Sequence, residues 1–271
     1  PNTQAHKDCG EYLAKQLEKF GAKVYNQYAD LEAWDGTILK ARNIIGAYNP
    51  DSKKRIMLCA HWDSRPYADY DAEEKNHKKP IDGANDGASG VGVLLEIARQ
   101  IQKEAPTVGI DIIFFDAEDY GTPAWHRGIY KPHDWCLGSQ YWGRTPHVQG
   151  YYARYGILLD MVGGKGGTFY YEPYSYRTAR KEVKKIWEKA HELGYGSYFV
   201  KQEGSEVTDD HVYVNQLARI PCVDIINYDP VYENSSFGPT WHTVNDNISN
   251  IDRNTLKAVG QTVMDVIYNE K

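Results

Sequence analysis

Residues 110–115 read IDIIFF and run straight into Asp116, Ala117, Glu118 and Asp119. A run this short, rich in β-branched and aromatic side chains, reads as a strand buried on both faces. Its abrupt end in acidic residues puts charge at one edge of a sheet. The pattern recurs on either side. RIMLC (55–59) leads into Ala60, His61, Trp62 and Asp63, and YGILL (155–159) closes on Asp160. Val223 to Ile226 is a fourth buried run, and Lys23 to Tyr28 and Ile38 to Tyr48 alternate like half-exposed strands. Between the runs lie segments of helical spacing. Thr3 to Phe20 places Tyr12, Leu13, Leu17 and Phe20 on one face and stops at Gly21. Gly87 to Lys103 does the same with Val91, Leu94, Leu95, Ile97 and Ile101. Tyr176 to Leu193 is a Lys/Glu-patterned surface helix, and Asn254 to Tyr268 a C-terminal one. Buried strands alternating with helices predict an α/β fold whose mostly parallel central sheet carries helices on both faces. No repeat or linker divides residues 1–271, so a single domain is expected. Asp63 to Ile81 is charged, aperiodic and longer than a connection requires, the mark of a functional loop.

The composition removes several classes of function. Thirty-one basic against 37 acidic residues give a charge of −6, the wrong sign for holding nucleic-acid phosphates. No apolar run approaches the roughly 18 residues that would cross a bilayer. A hydrophobic content of 41%, including 22 Tyr and 7 Trp, excludes disorder and suits an aromatic-lined cleft. Cys9, Cys59, Cys136 and Cys222 form no CxxC pair, which argues against a zinc ribbon or a disulfide-stapled scaffold and for buried free thiols. The sequence opens on Pro1 with no charged and apolar leader, which fits a removed leader or a chosen boundary.

In open α/β sheets ligands bind beyond the carboxyl ends of the strands. That is where His61, Asp63, Asp116, Glu118, Asp119 and Asp160 fall. Asp86 in GANDG (83–87) precedes a helix, and His242 in WHT (241–243) precedes the last one. Each has an ordinary reading: Asp86 as a helix N-cap, each histidine as a hydrogen-bonded side chain, the acids of 116–119 as a solvated turn. Their convergence on one sheet edge changes the weighing. Like charges so placed repel unless a cation sits between them, and imidazole mixed with carboxylate oxygen is a donor set that suits zinc.

The series His61-x-Asp63, Gly83-Ala84-Asn85-Asp86, Phe115-Asp116-Ala117-Glu118-Asp119, Asp160 and Trp241-His242-Thr243 resembles the zinc exopeptidases of metallopeptidase family 28. Two chemistries occur there: aminopeptidases, usually with two metals, and glutaminyl cyclases, usually with one zinc, which turn an N-terminal glutamine into pyroglutamate. Asp209-Asp210-His211, Phe237 four residues before Trp241, and Asn245-Asp246-Asn247 resemble the cyclase branch, and bacterial cyclases of the animal type in particular. The resemblance implies one zinc per chain on Asp86, Asp119 and His242, with Glu118 as the proton shuttle. It implies that Asp160 and Asp209 share a proton and accept from the scissile amide. Trp241 and Phe237 would wall the pocket and Trp125 lid it. His61 and Asp63 would be the retained half of a second metal site. Partners would be peptides or proteins with N-terminal Gln, met by an exported enzyme. Three departures stand out: Asp119 where the family commonly has Glu, Asp224 where animal enzymes place His, and Cys59 without the partner of their disulfide. Two other readings stay open. One is a di-zinc aminopeptidase, with His61, Asp86 and Asp160 around one metal and Asp119 with His242 around the other. The second is a metal-stabilised binding domain.

Overall fold

A computed structural model describes all 271 residues. The strands are β1 (Lys23–Glu32), β2 (Ile38–Tyr48), β3 (Arg55–His61), β4 (Gly109–Phe115), β5 (Gly156–Asp160), β6 (Phe169–Tyr171), β7 (Phe199–Glu203) and β8 (Cys222–Ile226). The helices are α1 (Gln4–Lys19), α2 (Ala88–Lys103), α3 (Leu137–Arg144), α4 (Pro173–Thr178), α5 (Arg180–Glu192), α6 (Asp210–Tyr213) and α7 (Arg253–Tyr268). Six strands form the central sheet in the order β1-β2-β4-β3-β5-β8, and β6 and β7 make a separate pair. β4, β3, β5 and β8 run parallel, while the outer β1–β2 hairpin adds antiparallel to β4.

Alternation along each buried strand divides the core. Ile56, Leu58 and Ala60 of β3 join the larger cluster with Leu94 and Ile97 of α2, Trp187 of α5 and Val263 of α7. Met57 and Cys59 face the other way, towards Trp142 of α3 and Val214. Helices therefore cover both faces, as the continuous apolar runs require. No helix is long and apolar enough to cross a membrane.

The predicted elements differ from the observed ones in instructive places. α1 has Thr3 as its N-cap, its hydroxyl accepting from the His6 N–H, and ends before Gly21 at φ +87°. β3 extends two residues past Cys59, so that His61 is itself a strand residue, paired in register with Phe115. The single helix expected over Tyr176–Leu193 is two: Glu172 caps α4 by accepting from the Tyr174 and Ser175 N–H groups, and Ala179 at φ −134° breaks the chain before α5. The short elements α3, β6, β7 and α6 carry little periodicity and were not expected.

Register decides the function of this scaffold. Because His61 lies beside Phe115 and Asp160 beside Ile226, the residues that follow β3, β4 and β5 emerge at one edge. α2 must approach that edge closely, and Gly90 permits it: a Cβ there would lie 2.1 Å from the Leu159 carbonyl oxygen. Gly90→Ala gains about 1 kcal/mol of helix propensity, but backbone oxygen cannot move aside, and overpacking of this kind costs about 1–3 kcal/mol or more. The variant should melt several degrees below the parent in differential scanning calorimetry; an equal or higher Tm would mean that α2 packs less tightly than described.

Candidate active site

A cavity of about 560 Å³ opens at the carboxyl edge of the sheet. Asp86, Glu118, Asp119, Asp160, Asp209 and His242 line it, with Trp135, Phe237 and Trp241 as aromatic walls. The polar residues expected at the strand ends are thus brought together, and nearly all are buried. Backbone strain gathers here too. Ala117, Cys136, Met161 and His242 are non-glycine residues at φ between +47° and +57°, beside or within the cavity lining. Such strain persists only where the surroundings over-determine it.

Asp86, Asp119 and His242 present ligand atoms that all lie within 4.8 Å of one another. His242 Nε2 is 3.2 Å from Asp119 Oδ1 and 3.6 Å from Asp86 Oδ2. Both carboxylate oxygens of Asp119 are buried and lack any hydrogen-bond partner. Burial and the Asp86 charge push its carboxyl up to about 6, against the pull of His242. A buried acid left without donors, facing a second acid and an imidazole nitrogen, is the arrangement a divalent cation relieves, and these donors fit zinc. The shorter side chain at Asp119 does not prevent convergence.

His61, Asp86 and Asp160 form a second trio of the same compactness. It is closed by hydrogen bonds: His61 Nε2 lies 3.0 Å from Asp86 Oδ1 and 3.2 Å from Asp160 Oδ1. Asp63 takes no place in either trio. Its oxygens accept the Glu118 and Asp119 backbone N–H groups at 3.0 and 3.1 Å, which clamps the turn after β4, and Oδ1 sits 3.6 Å from His61 Nδ1.

Glu118 projects into the cavity with the Cys136 thiol donating to Oε1 at 3.1 Å. Burial raises its carboxyl well above the usual range, and Asp209 and Asp119 push the same way against His61. Burial and the Asp160 charge lift Asp209 to about 7. Asp160 and Asp209 do not hydrogen-bond each other. Asp160 Oδ1 turns to His61, and Asp209 Oδ2 has no partner. β5 aims Asp160 Oδ1 at the His61 ring.

Trp125 stands outside the cavity lining. It packs edge-on against Tyr67 and stacks over His77 in the long loop, whereas Trp135 lies parallel to the His242 ring with centroids 5.9 Å apart. Asp116 is also away from the cavity: it accepts from the Arg42 N–H at 2.7 Å and pairs with His6 Nε2 at 2.9 Å, tying down α1.

The supporting roles of several residues escaped sequence reasoning. Arg65, fully buried, makes a bidentate pair with Asp69 at 2.9 and 2.7 Å and donates to the Asp119 and Gly121 carbonyls. Asp69 Oδ1 then lies 3.3 Å from His242 Nδ1, orienting the ring. Asp246 accepts the Asn85 and Asp86 backbone N–H groups at 2.7 and 3.0 Å. Arg65 and Asp69 sit four apart in a loop that reads as exposed, so no periodic signal marked them.

Comparison with known proteins places this geometry. The sequence pattern of Peptidase family M28 matches residues 43–267. The chain is 63% identical to the glutaminyl cyclase of Bacteroides thetaiotaomicron, solved with N-acetylhistamine, covering 100% of this chain and 92% of that one at a TM-score of 0.98. It is 59% identical to a Zn-dependent exopeptidase of Parabacteroides distasonis with the same coverage and TM-score. Against the glutaminyl-peptide cyclotransferase of Bos taurus the identity is 28% over 79% of this chain, and the match spans 62% of the length of the bovine protein.

The Asp246 clamp makes the metal centre testable. Asp246→Ala leaves two buried N–H groups without acceptors and frees the Asp86 loop, so zinc retention should weaken by about 10–100-fold. Competition with a colorimetric chelator reads this directly, and parental affinity in the variant would show that Asp86 is held by other contacts.

Proposed function

This chain belongs to peptidase family M28, and we propose that within it the protein is a zinc-dependent glutaminyl-peptide cyclotransferase acting on peptides or proteins with N-terminal glutamine. The observation that carries this reading is the presence of two further acids, Asp160 and Asp209, lining the same aromatic cavity as Glu118. Hydrolysis of a peptide bond has no use for a second acid at Asp209; an amide that departs as ammonia offers N–H groups that such acids accept. The high identity to a bacterial glutaminyl cyclase supports the same reading. We take residues 1–271 to work as one unit.

One zinc is proposed, held by Asp86, Asp119 and His242, because Asp119 has both oxygens free while the His61 trio is closed by hydrogen bonds. When bound, zinc supplies Lewis acidity to the side-chain carbonyl oxygen of the glutamine. The protein does the rest. Trp241 and Phe237 wall the space for the folded glutamine side chain, which brings its α-amine against its own γ-carbon. Glu118 takes a proton from that amine as the new C–N bond forms. It returns the proton to the amide nitrogen as the old C–N bond breaks and ammonia leaves. Burial that raises Glu118 makes it a stronger base than a free carboxylate and lets it hold the proton between the two steps. Asp160 and Asp209 orient the departing nitrogen by accepting its N–H groups.

The di-zinc aminopeptidase has one specific observation in its favour, the compactness of the His61, Asp86 and Asp160 trio. Turnover separates the readings: pyroglutamate should form from a Gln-initiated dipeptide, and no free amino acid should be released from a Leu-initiated one. Elemental analysis after dialysis should give one zinc per chain; two tightly held ions would favour the peptidase. The exported location implied by the resemblance is part of this proposal, and fractionation against compartment markers tests it.

Two substitutions test the assigned roles. Glu118→Gln is nearly isosteric yet cannot carry the proton, so turnover should fall by about 10²–10⁴-fold with zinc retained; a variant keeping a tenth or so of parental activity would require another base. Asp209→Ser should cut cyclisation sharply while the protein stays folded, since no core volume is lost. Asp209→Asn should be milder, because its amide still offers one acceptor oxygen. Unchanged rates in both would remove Asp209 from the mechanism.

A further inference from the structure

Behind Asp209, away from the metal centre, lies a buried file of titratable groups that the cyclisation chemistry does not use: Asp224 on β8, His211 on α6 and Glu172 capping α4. None exposes more than 2% of its surface. Glu172 is saturated with donors, accepting from the Tyr174, Ser175 and Val207 backbone N–H groups and facing His211 Nε2 at 3.1 Å. Burial would raise this carboxyl, but His211 and the backbone donors outweigh it and hold Glu172 at about 2. It is therefore ionised and accepts only, which fixes a proton on His211 Nε2.

The other ring nitrogen then decides what Asp209 meets. His211 Nδ1 lies 3.4 Å from Asp224 Oδ2, and neither atom has another partner. Asp209, His211 and Asp224 bring their polar atoms within 4.8 Å of one another. Two buried carboxyls that close are not both ionised and unaccompanied. One proton on the Nδ1–Oδ2 axis resolves the conflict. Placed on either atom, it cancels the charge of Asp224 and leaves Asp209 as the acceptor that faces the cavity. Asp209 needs such support, since its only hydrogen bond comes from the neighbouring Asp210 N–H to Oδ1.

We propose that Asp224 and His211 are positioning residues for the reaction: anchored on Glu172, they share one proton that keeps Asp209 oriented towards the departing amide nitrogen. The inference rests on the cyclase reading of this site. It predicts a defect confined to substrates whose leaving group has N–H groups for Asp209 to accept.

The experiment uses the zinc-loaded full chain and two substrates, a Gln-initiated dipeptide and its analogue carrying glutamate γ-methyl ester in place of Gln. Ester cyclisation releases methanol and is measured above its spontaneous rate. Asp224→Asn should lower kcat for the Gln substrate by about 10–100-fold, the usual cost of losing an orienting partner. KM, zinc content, melting temperature and the ester rate should stay at parental values. His211→Gln, which keeps a donor for Glu172, should behave alike, and the double variant should lose no more than the worse single one, as expected of groups acting as a unit. Equal losses on amide and ester, losses that multiply in the double variant, or a parental kcat in both single variants would overturn the inference. A parent protein inactive on the Gln dipeptide would instead overturn the cyclase reading, and this inference with it.

Discussion

Repulsion among buried carboxylates governs the working edge of this protein. Asp86, Asp119, Asp160, Glu118 and Asp209 share one cavity, and apart from Asp86 burial and their mutual charge lift them above the usual carboxylate range. Hydrophobic packing of the strands beneath forces the acids there, since β3, β4 and β5 are buried along their whole length and must deliver polar residues at their ends. Such a cluster persists only if every acid is matched by donors, a proton or a cation. Most of the local structure consists of ways to supply one of the three.

Backbone donors serve the acids that do no chemistry. Asp63 takes the N–H groups of Glu118 and Asp119, and Asp246 those of Asn85 and Asp86, so each clamp fixes a turn by satisfying its own charge. Arg65 serves Asp69, which in turn orients His242. The Arg65 guanidinium also stacks over Trp135, 4.5 Å from the ring centroid, so the same cation braces an aromatic wall. Among the acids left without hydrogen-bond partners after this accounting are Asp119 on the metal side, and the Asp209–Asp224 pair on the other with Asp210 beside it. The first residue defines the cation site, and the second defines the file proposed to hold a proton.

How much of this could be read in advance depended on periodicity. The four buried runs, the long helices and the polar residues at the strand ends were legible, because a continuous apolar run that stops on His or Asp fits little besides a buried strand meeting a polar edge. Register was not. Nothing in RIMLC tells that β3 runs on to His61 beside Phe115, yet that pairing puts His61 within reach of Asp86 and Asp160. The break at Ala179 was hidden because the residues on both sides have good helix propensity, and the Glu172 cap lies upstream of the periodic stretch. Trp125 and Trp135 lie in one aperiodic loop, where spacing cannot say which indole reaches His242. Arg65 and Asp69 looked solvated for the same reason. Loop residues become legible only through the partners the fold gives them.

The two trios that share Asp86 are best understood as competing answers to the same charge problem. A divalent ion between Asp86, Asp119 and a neutral His242 leaves a locally neutral centre. A second ion between His61, Asp86 and Asp160 would have to displace the single Nε2 proton that both acids face at 3.0 and 3.2 Å. Asp209 lies on the same cavity lining with Oδ2 unpartnered. The acid at 209 and the hydrogen-bonded His61 both fit the one-zinc proposal. The file from Asp224 to Glu172 extends the same logic inward, since the proton proposed between His211 and Asp224 matches the buried charge behind Asp209.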